Sequence, residues 1–212
     1  MVFNKLPMII PIFPLANAIF FPNTALPLNI FEKRYIQLIN DCLKNERLFG
    51  MVQPKFNKNL KSEVYKVGCL GKITNFNEIN NQRFVINLSG IIRFRIKEEL
   101  STDKLYRIFK VDYTDFVEDL NLENDLKNKY NNKDLLKKIK LFLNKKNYSI
   151  KFNELEQLDF DQLISTICMI SPFSIGEKQQ LLEAIKIDKK IEMLEKIINF
   201  NLHDNLKNKT IQ

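Results

Sequence analysis

Between Leu6 and Phe31 the chain carries no charged residue, yet five of its seven prolines stand in that stretch, at 7, 11, 14, 22 and 27. An uncharged run of this length first suggests a leader peptide or a membrane span. The prolines argue against both. They would break a helix repeatedly and leave Asn17, Asn23, Thr24 and Asn29 without partners in lipid. The run is compatible with short strands and loops. MIIPIF (Met8–Phe13) and ALPLNI (Ala25–Ile30) read as strands joined by a Pro- and Asn-rich loop, with their prolines at edges or bends. The expectation is a soluble cytoplasmic protein that does not enter the membrane.

Past this run the period changes. From Phe31 to Glu46, Tyr35, Ile36, Ile39, Cys42 and Leu43 fall on one helical stripe, with most charges elsewhere. LFGMVQ (Leu48–Gln53) is the next strand and Phe56–Glu63 a polar loop. Val64–Ser89 reads as a hairpin turning at Asn80-Asn81. In Ile91–Leu100, Ile92, Phe94 and Ile96 alternate with Arg93, Arg95 and Lys97. Tyr106–Phe116 alternates likewise. After about residue 117 only Pro172 and Gly176 punctuate the chain. Asn121–Asn147 and Leu155–Ile170 read as helices, Ser174-Ile175-Gly176-Glu177 as a capping box opening a third, and Asp188 as the cap of a fourth. The fold class expected is α+β: residues 1–117 a small β-barrel, residues 118–212 a helical bundle.

Several chemistries lack their residues. The glycines at 50, 68, 71, 90 and 176 permit neither a G-x-x-x-x-G-K-[ST] nor a G-x-G-x-x-G phosphate loop. One histidine, His203, excludes a two-histidine metal site, and Cys42, Cys69 and Cys168 stand far apart in apolar runs. Buried free thiols fit them best. No catalytic residue, metal or cofactor is expected, and the chain is read as not an enzyme. Its formal net charge of +8 invites a nucleic-acid reading, but most of that charge is Lys interleaved with Asn, which also describes a solvated face.

Ordered blocks then carry a resemblance. PIFPLANAIFFPNTALPLNIFEKRYIQLINDCL (Pro11–Leu43), RLFGMV (Arg47–Val52), VGCLGKI (Val67–Ile73), SGIIRFRI (Ser89–Ile96) and SPFSIGEKQQLLEAIKIDKKIEMLEKII (Ser171–Ile198) resemble the N-terminal substrate-binding domain of the Lon protease family. Asn121–Asn153 matches only in being helical. The resemblance implies a PUA-like β-barrel followed by a helical bundle, used to engage polypeptides. The ATPase and Ser-Lys peptidase modules of full-length Lon have no counterpart in this sequence. The expectation is therefore a stand-alone Lon-domain protein that binds polypeptide without cutting it. Its expected partners are unfolded or degron-bearing polypeptides, together with a protease or chaperone. The sequence does not indicate an oligomeric state.

The apolar residues of Phe13–Phe31 exceed what two short strands can bury on one sheet face, and an exposed apolar patch marks a binding site. Leu15, Phe20, Phe21, Leu26, Leu28 and Phe31 are the candidates for contact with polypeptide. Phe20 and Phe21 are adjacent, so in an extended chain they point to opposite faces and one is expected to face outward. The competing reading packs all of these side chains into the core. Glu32, Arg34 and Tyr35 form a structural motif at the start of the first helix, where Arg34 could bridge Glu32 to a neighbouring strand. Gly50, Gly68, Gly71 and Arg93 belong to the same structural set, Gly68 and Gly71 allowing a bulge or a close backbone approach. RNA binding is the second functional reading, through Arg93, Arg95, Lys97 and Arg107, with Tyr106 placed to stack a base.

Overall fold

The computed structural model describes residues 6–55, 63–79, 83–120, 132–148, 152–155 and 157–207. The chain forms two compact units, Met1–Leu122 and Glu123–Gln212. The fold is mixed α+β.

The first unit is built on six strands: β1 (Ile9–Pro14), β2 (Ala25–Ile30), β3 (Leu48–Val52), β4 (Val67–Ile79), β5 (Arg83–Leu100) and β6 (Arg107–Asp112). Their order is β2-β5-β4-β3-β1-β6, and β6 also pairs with β5. The ladder β5-β4-β3-β1-β6 thus returns on itself, with β2 added to β5 outside the ring. Every pairing is antiparallel except β1 with β3. The register Ile12↔Gly50, Gly50↔Leu70 and Leu70↔Ile92 carries one row of residues around the ring. Ile12, Leu70 and Ile92, with Ile10, Phe94 and Val111, are fully buried. A Cβ on Gly50 or on Gly68 would come within 2.7 Å of the Phe94 ring, so both stay bare for that ring to fit. At Gly71 a Cβ would meet Leu88, and the β4–β5 register shifts between Leu70 and Gly71.

Helix α1 (Lys33–Leu43) covers the opposite face of β1 and β3. Its buried stripe is Tyr35, Leu38, Ile39 and Cys42; the sequence reading placed Tyr35, Ile39 and Cys42 on it but gave Ile36 and Leu43, which are half-buried, in place of Leu38. The Tyr35 ring lies 4.0 Å from that of Phe13, Phe13 lies 6.0 Å from Phe49, and the Cys42 thiol donates to the Leu48 carbonyl at 3.3 Å. A 3₁₀ segment, Thr114–Leu120, lies beside β5.

Between β1 and β2 the chain turns at Asn17 (φ 65°) and Asn23 (φ 58°), the left-handed conformation that asparagine tolerates better than most residues. The loop then crosses β5 at Gly90. Asn23 N–H donates to the Gly90 carbonyl at 3.0 Å, Gly90 N–H to the Thr24 carbonyl at 2.8 Å, and Thr24 Oγ1 to the Phe21 carbonyl at 2.6 Å. A side chain on Gly90 would strike the Phe21 carbonyl.

The second unit holds α2 (Asn132–Lys145), the short α3 (Phe152–Leu155), α4 (Phe160–Ile170), α5 (Ile175–Glu183) and α6 (Ile187–Lys207). Its core includes Ile139, Phe142, Ile164, Leu181, Leu194 and Ile198, with the Phe142 and Phe173 rings stacked at 5.2 Å. The expected helix Leu155–Ile170 is two helices, separated where Asp159 stands in extended conformation ahead of α4. The capping box opens α5 as read. Asp188 does not cap α6; that helix begins at Ile187, which leaves Asp188 in its first turn. The expected polar loop at 56–62 and the turn at Asn80-Asn81 lie outside the described residues.

Candidate functional site

Where β1 and β2 end and α1 begins, a cleft of about 390 Å³ opens to solvent. Phe13, Ile30 and Tyr35 line it and are buried, whereas Phe31 is 63% exposed. Leu15, Pro54 and Val64 add apolar wall, and Asn29, Glu32, Arg34 and Arg107 supply the polar rim. Tyr35 is fixed twice: its ring packs at a tilt of 30° against that of Phe13, and its hydroxyl donates to the Pro14 carbonyl at 3.2 Å. Burial holds the Tyr35 hydroxyl above its ordinary pKa, so at neutral pH it is a neutral donor.

Among the described residues Arg34 makes no bridge to a strand. It pairs with Glu32, two residues away, at 2.8 Å, and its guanidinium stands 4.5 Å from the centre of the Tyr35 ring. Both side chains of that pair are about half exposed, so the bond adds little stability. Its effect is to hold charge at the rim while the apolar wall stays open.

The six apolar candidates separate. Leu15 and Phe31 come together in the cleft. Leu26 is half-buried and Leu28 buried, on the β2 face whose cross-strand partners on β5 are Leu88 and Ile86. Phe20 (2% exposed) and Phe21 (0%) are both inside, which corrects the expectation that one faces outward. The loop that carries them is not a strand, so the alternation of an extended chain does not apply. The ladder across Gly90 draws both rings in.

Beside the cleft, β2 ends the strand order, and its outer edge has no strand partner among the described residues. Gly90 N–H donates to the Thr24 carbonyl, so by antiparallel alternation the even-numbered residues of β2 turn their backbone groups towards β5 and the odd-numbered ones outward, among them Pro27, which has no N–H. That edge offers N–H groups at Ala25 and Asn29 only, but carbonyls at 25, 27 and 29. Pro54 and Val64 close the wall through an isolated antiparallel bridge. No periodicity marks that bridge, and the sequence reading placed neither residue at the site. Arg107 was legible only as a cation on a strand.

The cations of the RNA reading are each paired with a carboxylate: Arg93 with Asp119 at 2.7 Å, Arg95 with Asp115 at 2.8 Å, Lys97 with Asp112 at 2.9 Å and Arg107 with Glu99 at 2.7 Å. The Tyr106 ring is buried and its hydroxyl donates to Asp41 at 2.8 Å, so it does not present a stacking face. The three cysteines are buried and form no disulfide among the described residues.

Residues 9–199 match the family model described as the ATP-dependent protease La (LON) substrate-binding domain. The chain belongs to that family. It is 25% identical over 206 residues to a Lon protease of Syntrophus aciditrophicus, covering 93% of this chain and 26% of the relative. To a Lon protease of Malacoplasma penetrans it is 28% identical over 190 residues, 86% of this chain and 24% of the relative. The chain thus spans about a quarter of the length of these relatives. Among solved structures, the Lon N-terminal domain protein from Xanthomonas campestris superposes with a TM-score of 0.59 at 20% identity, covering 88% of this chain and 96% of that one. The N-terminal domain of Mycobacterium avium complex Lon protease superposes with 0.63 at 16% identity, covering 90% and 98%. At these identities the two structures speak for the Lon N-terminal fold alone.

Proposed function

We propose that this Lon-family chain is a non-catalytic polypeptide-binding module. An extended, unfolded or degron-bearing segment lies along β2 and sets an apolar side chain into the cleft between Leu15, Tyr35 and Phe31. The observation that carries this reading is Phe31: a large aromatic, mostly in water, at the mouth of a cleft whose inner wall is the tilted Phe13–Tyr35 ring pair. Leaving it exposed forgoes roughly 1.5–3 kcal/mol of burial, which a bound segment would recover. The open carbonyls of β2 supply acceptors for main-chain N–H groups of the segment, and Pro27 limits unselective strand addition. We read the closed ring of strands as a PUA-like barrel over residues 1–117 and the helices over 118–212 as a bundle. The return of β6 onto β5 supports the first of these. A cytoplasmic setting and hand-over to a protease or chaperone follow from the family reading. The pairing of all four candidate cations speaks against the RNA alternative.

The test is titration of the protein against a fluorescein-labelled, carboxymethylated and permanently unfolded protein. Phe31→Ser should weaken binding about threefold or more with an unchanged melting temperature. Unchanged affinity would remove the cleft from the binding surface.

A further inference from the structure

Across β5 from β2, the outer half of β4 forms another open edge. Strand β4 pairs with β3 as far as Leu48↔Lys72, and just beyond, Ile73 N–H donates to the Arg47 carbonyl at 2.9 Å. After a register shift between Ile73 and Asn75, β4 runs on to Ile79 with β5 on one flank and no strand on the other among the described residues. Every residue from Thr74 to Ile79 is exposed.

Alternation fixes which backbone groups this edge presents. The even-numbered residues of β5 that pair with β2 turn towards it, so the odd-numbered ones turn towards β4, where the Asn87 carbonyl accepts from Thr74 Oγ1 at 3.1 Å. Asn75, Asn77 and Ile79, opposite Asn87, Val85 and Arg83, therefore bond to β5, and Phe76 and Glu78 turn N–H and C=O away from it. Between Thr74 and Ile79 there is neither proline nor lysine, the residues that commonly guard an edge against strand addition.

The side chains select what such an edge accepts. Cross-strand pairing sets Leu28, Ile86 and Phe76 in one row across β2, β5 and β4. Leu28 and Ile86 are buried, whereas Phe76, at the end of the row, is 48% exposed. On the opposite face the row Asn29, Val85 and Asn77 ends in an exposed asparagine. A strand laid beside β4 continues both rows if it sets an apolar residue next to Phe76 and a polar one next to Asn77.

We propose that the outer edge of β4 takes up an extended polypeptide segment of alternating apolar and polar residues, as an added strand anchored on Phe76. Phe76 and Glu78 each supply it with one main-chain donor and one acceptor. A dimer joined through so short an edge would bury much less than the roughly 800 Å² per partner of a stable interface, and two copies each carrying +8 repel, so the edge suits a flexible segment over a second copy. The site is separate from the Phe31 cleft and does not depend on polypeptide binding there.

The test is amide hydrogen exchange followed residue by residue by NMR, on the full chain, with and without excess of a capped hexapeptide alternating valine and threonine. The outward amides of Phe76 and Glu78 should exchange about threefold or more slowly with the peptide present. A peptide of the same composition with its valines grouped at one end should slow them less. Glu78→Pro removes an outward N–H and leaves the β4–β5 ladder whole, so it should abolish the slowing at Phe76 with an unchanged melting temperature. Phe76→Ser should abolish it at Glu78, and Phe31→Ser should leave both amides as in the native chain. Four results would overturn the proposal: no slowing at either amide, equal slowing by the grouped peptide, slowing that survives Glu78→Pro and Phe76→Ser, or loss with Phe31→Ser. Slowing in the peptide-free protein as its concentration rises would also overturn it, giving the edge to a second copy. If Glu78→Pro lowers the melting temperature, Phe76→Ser alone decides.

Discussion

Arg93 and Arg95 stand two residues apart on β5, and each pairs with an aspartate of the 3₁₀ segment, but in different surroundings. The side chains of Arg93 and Asp119 are 3% and 8% exposed, and Asp119 also accepts the Arg93 backbone N–H at 2.9 Å. Those of Arg95 and Asp115 are 38% and 43% exposed. Removing one member of a buried pair leaves a charge without its partner, whereas an exposed pair is replaced by water. Urea unfolding should therefore show Asp119→Ala costing about 3 kcal/mol and Asp115→Ala less than about 1 kcal/mol. Alternation along Ile92–Lys97 placed both arginines on the face away from Phe94, and that is where they are. What covers Arg93 was not legible, because Asp119 lies 26 residues away with no period linking the two. Cys42 shows the converse. Its apolar neighbours implied a buried thiol, and burial pushes that thiol up from 9.0 to about 12, with Asp41 adding to the shift. The unfolded thiol ionises first, so the unfolded state is favoured as pH rises from about 9 towards 12. Stability should fall across that window by more in the native chain than in Cys42→Ala, measured by urea midpoints at stepped pH.

Elements were legible in the sequence where their signal was local. The stripe of α1 lies within one helix and the capping box of α5 within four residues; Val64–Ser89 was read as a hairpin and Ile91–Leu100 as a further strand, whereas β5 runs unbroken from Arg83 to Leu100, Gly90 staying in the ladder opposite Gly71. In α5, Ser174 Oγ accepts from Glu177 N–H at 3.3 Å, while Glu177 Oε2 accepts from Ser174 N–H at 2.7 Å. Ser174→Ala should cost about 1 kcal/mol. The loop from Leu15 to Thr24 was not legible, because its form depends on Gly90, far along the chain. Phe20 and Phe21 were read with the geometry of a strand, and a backbone ladder to β5 decides where they go instead. Gly90→Ala should cost about 2 kcal/mol or more, since the added methyl would displace that ladder, and thermal melts of the two variants should rank it well below Ser174→Ala.

Over the whole molecule, composition divided the chain into a strand-rich part and a helical part, and the expectation of an α+β fold rested on that division. The order of the strands could not be read the same way. β1 pairs in parallel with β3 and antiparallel with β6, contacts that join distant residues through packing rather than through any local pattern. The cleft depends on that order. Ring closure and the seating of α1 bring the ends of β1 and β2, the Pro54–Val64 bridge and the start of β6 to one place. Leu15 and Phe31 could be named from sequence because they are apolar, but only the fold separates them from Phe20 and Phe21, which share their chemistry and are core.

The measurement that bears most directly on this account is affinity for the labelled unfolded protein, taken alongside the melting temperature, for the native chain, Phe31→Ser and Phe21→Ser. Phe31→Ser should bind about threefold or more weakly at an unchanged melting temperature, while Phe21→Ser should lose several degrees of stability, as a fully buried aromatic must. Native affinity in Phe31→Ser, with its fold intact, would contradict the claim that the cleft between β1, β2 and α1 receives polypeptide.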